Sequence, residues 1–364
     1  MRVPLGRDTN GKRRYHNHTV HGTKKEAETY LHRALHERSE GTFWQPSKLT
    51  VDEYFAHWFE HAAARRVRER TLYEYRRVFE RYLQGPLGQT PLARVSALEI
   101  QALYSTLLTR GLSARTVRYA HSVLSAGLKQ AIRWRILKYD PLTGVELPRI
   151  QRVERPVLDV DGARRFLAAI KGTRLECLFT LALLTGMRPG EYLALRWSDI
   201  DFVSGDVRIQ RSLTRIKGRV VIEEPKTSRS RRTVSVPPAV LTLLKAQRRT
   251  QARERKPQGP SVSEFGDLVF STDSGAPLDL QNVRFQYLKP ILRQSGLPVS
   301  LRLYDLRHAC ATILMMAGQN PKVVSERLGH ASVVMTLDTY SHVVPVMQQQ
   351  ATAVLSELLF RRRR

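Results

Sequence analysis

Four separate stretches of this 364-residue chain carry side chains suited to gripping a phosphate group. In the run TGMRPGE at 185–191 an apolar helix is expected to end at Gly186, and a new one to open with Pro189 in its first turn. Arg188 then stands at a helix amino terminus, where free backbone N–H groups and the helix dipole already favour an anion. Glu191, three residues on, either holds Arg188 in place or caps the helix. In YDLRH at 304–308, Asp305 is expected to cap a helix whose apolar stripe runs through Leu306, Cys310, Ile313, Leu314 and Ala317. That leaves Arg307 in the first turn, on the side away from the stripe. Two guanidinium groups at two helix starts make a bidentate clamp for one phosphate, a task for which planar guanidinium is better suited than an ammonium. In LGHAS at 328–332, Gly329 is expected to end a helix opened by Asn320 and Pro321, throwing His330 onto a tight corner. Ser332 would cap a last helix bearing Tyr340. The polar, basic run PKTSRSRR at 225–232 lies between two strand patterns and fits a mobile hairpin that carries Lys226 and Arg229 toward a groove.

These stretches need a scaffold, and the chain separates into three segments by pattern. Residues 1–46 read as a small three-stranded sheet plus one helix: a turn at Asp8, Thr9, Asn10 and Gly11, a basic strand with Arg13 and Arg14, and a capping box at Thr23 and Glu26. Residues 47–148 are helical in pattern almost throughout. Tyr54, Phe55, Trp58 and Phe59 form one apolar face, and Leu72, Tyr75, Val78, Phe79 and Tyr82 another. Between those faces lie Arg65, Arg66, Arg68 and Arg70; further on, Arg115 and Arg118 share a helix with the inward-facing Val117, Val123, Leu124 and Leu128. With few acids to balance them, Arg66, Arg68, Arg115 and Arg118 are candidate phosphate contacts. A proline-flanked, charged linker covers 147–156. Residues 155–364 read as mainly helical α+β with a small antiparallel sheet: helices over 161–170 and 176–184, strands over 206–210, 219–223 and 231–236, then helices to the end. In the tail, Val346, Ala351, Val354, Leu355, Leu358 and Leu359 form an apolar face that either packs on its own domain or docks onto a neighbouring subunit.

Composition narrows the partner. The formal net charge is +27, an excess that repels itself in a compact fold and points to a polyanion. Nucleic acid is favoured over a membrane, because no apolar run approaches the ~20 residues a spanning helix needs. The amino terminus has no apolar signal-peptide core, so a cytoplasmic protein is expected. Cys177 and Cys310 lie in apolar surroundings without metal-ligand spacing, and the eleven histidines are scattered, so no metal or other cofactor is expected.

Taken together, Arg188 in TGMRPGE, Lys226 in the basic loop, Arg307 in YDLRH, His330 in LGHAS and Tyr340 in TLDTYSH resemble the tyrosine recombinases, or phage integrases, in type, order and spacing. The resemblance spans essentially the whole chain. Residues 1–46 resemble the arm-type DNA-binding domain of lambda-type and conjugative-transposon integrases, 47–148 their core-binding domain, and 155–364 their catalytic domain. One position departs: Tyr304 stands where the family usually has histidine. A phenol still hydrogen-bonds a phosphate oxygen but does not titrate near neutral pH.

The resemblance implies a site-specific recombinase that cleaves and rejoins double-stranded DNA to integrate and excise a mobile element, such as a prophage or an integrative conjugative element. It implies that Tyr340 attacks the scissile phosphate to give a 3′-phosphotyrosine and a free 5′-hydroxyl. Arg188 and Arg307 would stabilise the pentacoordinate state, His330 and Tyr304 would hydrogen-bond phosphate oxygens, Lys226 would protonate the leaving oxygen, and Glu191 would support Arg188. The implied partners are core and arm attachment sites, a tetramer on synapsed DNA, an excisionase and a DNA-bending host factor. A type IB topoisomerase would use similar chemistry without a second recognition site, and the arm-like segment argues against it. A non-catalytic DNA-binding regulator would not need every catalytic position filled.

Overall fold

The computed structural model describes residues 1–7, 11–17, 19–39, 47–151, 156–225, 230–254, 265, 267–339, 348, 352, 355–356 and 359–360. The chain divides into two compact units, Met1–Arg152 and Val153–Arg364.

The first unit opens with strands β1 (Arg2–Arg7) and β2 (Arg13–Asn17), paired antiparallel with Val3 opposite His16 and a register shift between Pro4 and Gly6. Helix α1 (Lys24–Ser39) follows, its start fixed by the expected capping box: Thr23 N donates to the Glu26 carboxylate at 2.7 Å. The expected third strand is absent among the described residues, and the sheet has two strands. Too little chain lies between the end of β2 and the cap at Thr23 for a turn and a returning strand.

From Val51 to Arg133 the described chain is mainly helical. Helix α2 (Val51–Trp58) starts at a capping box between Thr50 and Glu53 and widens into a π-helical stretch at Phe59–Ala63. Helix α3 (Glu69–Val78) widens likewise at Phe79–Leu83, and α4 (Ala97–Thr109) and α5 (Ala114–Arg133) follow. Both predicted aromatic faces turn inward: the rings of Phe55 and Phe79 stack 4.5 Å apart, and the buried Tyr54 hydroxyl donates to Gly127 O at 2.7 Å. Val117, Val123, Leu124 and Leu128 complete this core.

The second unit carries helices α6 (Val160–Ile170), α7 (Glu176–Thr185) and α8 (Pro189–Leu193) around a core that includes Phe166, Phe179 and Tyr192. Five strands follow: β3 (Ile200–Asp201), β4 (Asp206–Ile209), β5 (Ser212–Ile216), β6 (Arg219–Glu223) and β7 (Arg232–Ser235). They form two antiparallel sheets, β3-β4-β7 and β5-β6. The three strands expected from the sequence therefore lack β3 and β5. Strand β5 and β6 are joined at Lys217 (φ 50°) and Gly218 (φ 80°), a two-residue turn with both central residues left-handed. This pairing corrects the expected hairpin around Lys226. Its flanking strands do not pair with each other, because β6 pairs with β5 and β7 with β4, so the basic run passes from one sheet to the other.

Helix α9 (Pro238–Glu254) is followed by α10, which starts at Leu280–Asn282, widens at Val283–Leu288 and ends with Lys289–Gln294. The last three described helices are α11 (Asp305–Met316), α12 (Pro321–Leu328) and α13 (Val333–Thr339). Asp305 is the first residue of α11, not its cap. Its buried carboxylate accepts from the backbone N of Arg302 (2.8 Å) and from Arg302 Nη2 (2.7 Å). In the tail, Leu355, Leu359 and Phe360 are exposed, while Val346, Ala351, Val354 and Leu358 lie outside the described residues. Among the described residues no helix is long and apolar enough to cross a membrane, and no cluster of histidine, cysteine and carboxylate side chains is placed to hold a metal ion. Both cysteines are free and buried.

Candidate active site

The site is organised by the carboxyl end of α12. Gly329 ends that helix in the left-handed conformation (φ 66°), and the last turn of any helix leaves carbonyl groups without intrahelical donors. Three successive carbonyls here accept from three arginines carried by three other elements. Arg232 Nε, from β7, donates to Arg327 O at 2.6 Å. Arg307 Nη1, from the first turn of α11, donates to Leu328 O at 2.7 Å, and Arg188 Nη2, just before α8, donates to Gly329 O at 3.0 Å. Arg307 Nη1 also reaches Gly186 O at 2.8 Å, across the end of α7. Gly186 is required there twice over: its φ is 65°, and a Cβ would lie 2.5 Å from Leu328 Cδ2.

Three guanidinium groups so close together repel, and one buried carboxylate offsets part of that. Glu191, 3% exposed, accepts Arg188 Nη1 at 2.7 Å and Arg232 Nη2 at 2.9 Å. It also accepts the backbone N–H of Arg188 at 2.8 Å. The two alternatives left open for Glu191 therefore both hold: it supports the Arg188 side chain and caps α8. Burial alone would raise its pKa, but the hydrogen bonds and charge of Arg232, then the charge of Arg188, hold it below the usual carboxylate value. One carboxylate against three guanidinium groups leaves the pocket positive.

Arg307 is the most constrained of the three. It is 1% exposed, and its Nη2 is buried with no hydrogen-bond partner among the described residues. Burial, then the nearby Arg188 charge, lowers its pKa to about 10, so it remains a cation at neutral pH. A buried guanidinium nitrogen left unpaired is costly unless an acceptor arrives from outside. An anion bound here would supply one.

His330 follows Gly329 directly, on the expected corner. Its Nδ1 lies 2.7 Å from Thr336 Oγ1 on α13. Burial, reinforced by Arg307 and Arg188, pushes its pKa down to about 4, so the ring is neutral near pH 7. Tyr304 sits just before α11, partly exposed, with its ring edge-on to His308 at 5.2 Å.

Thus the structure brings together Arg188, Glu191, Arg307 and His330, with Tyr304 one turn from Arg307. Lys226, Arg229 and Tyr340 lie outside the described residues. The other candidate DNA contacts belong to the first unit. Arg13, Arg66, Arg68 and Arg115 are exposed, whereas the side chain of Arg14 is outside the described set. Arg66 Nη1 bonds Gln130 Oε1 at 3.2 Å, and the half-buried Arg118 donates to Pro148 O at 3.3 Å. Sequence reasoning missed Arg232 and Thr336. Arg232 had a signal: it shares the inward face of β7 with Val234, and an arginine at a core-facing strand position needs a buried acceptor.

Residues 156–346 match the model of the phage integrase family, and residues 50–108 match the N-terminal SAM-like domain of phage integrases. A "Tyrosine recombinase XerC-like" protein of Caldanaerobacter subterraneus subsp. tengcongensis is 30% identical, with 98% of this chain and 95% of that protein covered. Among solved structures, the Tn1549 transposon integrase in complex with a circular intermediate DNA superposes with a TM-score of 0.72 at 22% identity, covering 84% of this chain and 99% of that one. A lambda integrase tetramer bound to a Holliday junction gives a TM-score of 0.60 at 19% identity, covering 92% of this chain and 90% of that one. These structures share its fold. With the arginine-lined pocket in place, the family match over more than half its length shows that this chain belongs to the phage integrase family, the tyrosine recombinases.

Proposed function

We propose that the chain is a site-specific DNA recombinase that integrates and excises a mobile element through a 3′-phosphotyrosine intermediate at Tyr340. The observation that carries this reading is the unpaired, buried Nη2 of Arg307 beside Arg188 and Arg232, a positive pocket with a donor held ready for an oxyanion. Preorganised donors of this kind act on charge that develops in the transition state without having to reorganise. Tyr340 Oη would attack the scissile phosphorus, displacing the 5′ oxygen, which takes a proton from Lys226. The phenol proton leaves to solvent. Arg188 and Arg307 hold the pentacoordinate phosphorane, with His330 and Tyr304 as neutral donors, and Glu191 and Arg232 fix the guanidinium groups. Because the ester bond is exchanged and not lost, a partner strand's 5′-hydroxyl reverses the step without a high-energy cofactor.

In this reading residues 1–46 bind arm-type sites, 47–148 bind the core site, and 155–364 carry the chemistry. Arg13, Arg14, Arg66, Arg68, Arg115, Arg118 and Arg229 are the proposed DNA contacts. Similarity to a transposon integrase and to a phage integrase tetramer supports a mobile-element substrate and a tetrameric synapse. An excisionase and a DNA-bending protein are the accessory partners proposed for choosing direction, with the work done on cytoplasmic DNA. The deciding experiment uses nicked suicide substrates cut from the ends of the element. The wild-type protein is expected to accumulate a covalent adduct, and Tyr340→Phe to lose it entirely while binding the site normally. An adduct that persists in Tyr340→Phe would assign the nucleophile elsewhere.

A further inference from the structure

His330 is neutral, but neutrality leaves two tautomers with opposite capabilities: Nε2–H donates a hydrogen bond, whereas a bare Nε2 accepts one. Thr336 decides between them. The residue is fully buried, and among the described residues its hydroxyl has one hydrogen-bond partner, His330 Nδ1 at 2.7 Å. A hydroxyl carries a proton that must find an acceptor when buried. Here the acceptor is Nδ1, because the reverse arrangement, Nδ1–H donating to Oγ1, would strand the hydroxyl proton. A neutral ring that accepts at Nδ1 bears its own proton on Nε2. That nitrogen has no hydrogen-bond partner among the described residues. Protonating Nδ1 as well as Nε2 would add a further cation beside Arg307 and Arg188, and those charges, with His308 and Arg232, oppose it.

We propose that Thr336 is a positioning residue that locks His330 as a neutral Nε2–H donor for a phosphate oxygen. The proposal rests on the phosphodiester reading of the site given above. Thr336 also stands on α13, four residues before Tyr340 in the sequence, so the helix that leads to the nucleophile is the one that sets the tautomer of the histidine.

The test uses the full-length protein labelled with nitrogen-15 in histidine, the His330 signals being assigned by their loss in His330→Gln. The wild-type ring is expected to be neutral with the proton on Nε2, and Thr336→Val, which keeps the shape but removes the hydroxyl, to give mixed tautomers. Single-turnover cleavage by Thr336→Val should slow about tenfold, the worth of one hydrogen bond, with DNA affinity within about twofold of wild type. Thr336→Ser should restore both the tautomer and the rate. A wild-type ring protonated on Nδ1, or a valine variant with unchanged tautomer and rate, overturns the proposal. So does a loss of rate that serine fails to restore and that tracks a lowered Tm. Wild-type cleavage by His330→Gln would instead refute the placement of His330 at the phosphate, while the tautomer spectra would still report whether Thr336 holds the ring.

Discussion

Arginines serve two regions of this chain under opposite conditions. In the first unit Arg13, Arg66, Arg68 and Arg115 are exposed on β2 and around α2 to α5. In the second, Arg307 and Arg232 are buried against backbone carbonyls and a buried carboxylate, with Arg188 alongside. An exposed guanidinium is hydrated until a phosphate displaces water and counterions, so its contribution is salt-dependent affinity. A buried one has given up hydration before DNA arrives. The carbonyls at the end of α12 and Glu191 offset that cost, and Arg307 Nη2 is left without a partner among the described residues. In the proposed function, charge of the first kind holds DNA and charge of the second kind lowers a barrier.

The sharpest way to break this contrast is Arg307→Lys. An ammonium retains the charge but not the fork that reaches Gly186 O and Leu328 O while leaving Nη2 free. Single-turnover cleavage is expected to fall by about 10²–10³, the usual loss on removing one transition-state donor, with DNA affinity changed less than about threefold. Equal losses in affinity and rate would show that Arg307 binds the ground state as strongly as the transition state, and the distinction between the two regions would fail.

Next in size is the support beneath the clamp. Arg232→Ala removes one of the two guanidinium partners of a carboxylate that is 3% exposed. Breaking a buried pair by deleting one member costs about 3–5 kcal/mol, and Arg188, still bonded to Glu191, should hold the loss near the lower figure. Urea unfolding reads it directly. Adding Glu191→Gln to Arg232→Ala should cost less than the sum of the single changes, because the amide removes the stranded charge. Additive losses would mean that the two side chains do not act as a pair.

What the sequence disclosed depended on how local the chemistry was. The ends of α7 and α12 at Gly186 and Gly329, the start of α12 at Asn320, and the capping box at Thr23 were legible because each is decided within one turn of chain. So were the aromatic faces of α2 and α3, which repeat at helical spacing. Strand β5 was hidden because its buried residues, Leu213 and Ile216, are three apart and break the period of two. Asp305 was misread as a cap because Arg302, three residues upstream, competes for its carboxylate. Arg232 looked like one more member of a basic loop. Its partner Glu191 lies on α8, and that pairing is settled where β7 and α8 meet beside the end of α12, which no short window of residues contains.

The smallest effects test the exposed side of the comparison. Arg115→Ala, on the solvent face of α5, should leave stability within about 0.5 kcal/mol and weaken binding to all DNA sequences alike. Its signature is the salt dependence: the slope of log K against log salt should become shallower by about 0.9, one phosphate contact. Arg118, three residues on, provides the internal contrast. It is half-buried and tied to Pro148 O, so Arg118→Ala should cost about 1 kcal/mol of stability and change the salt slope less than Arg115→Ala does. Had the first unit used its arginines as the second does, the two substitutions would behave alike, because the carbonyl bond of Arg118 would then be preparing a donor for DNA. An unequal pair of slopes, with the larger change at the freer side chain, would show that burial separates the two uses of arginine even between neighbours on one helix.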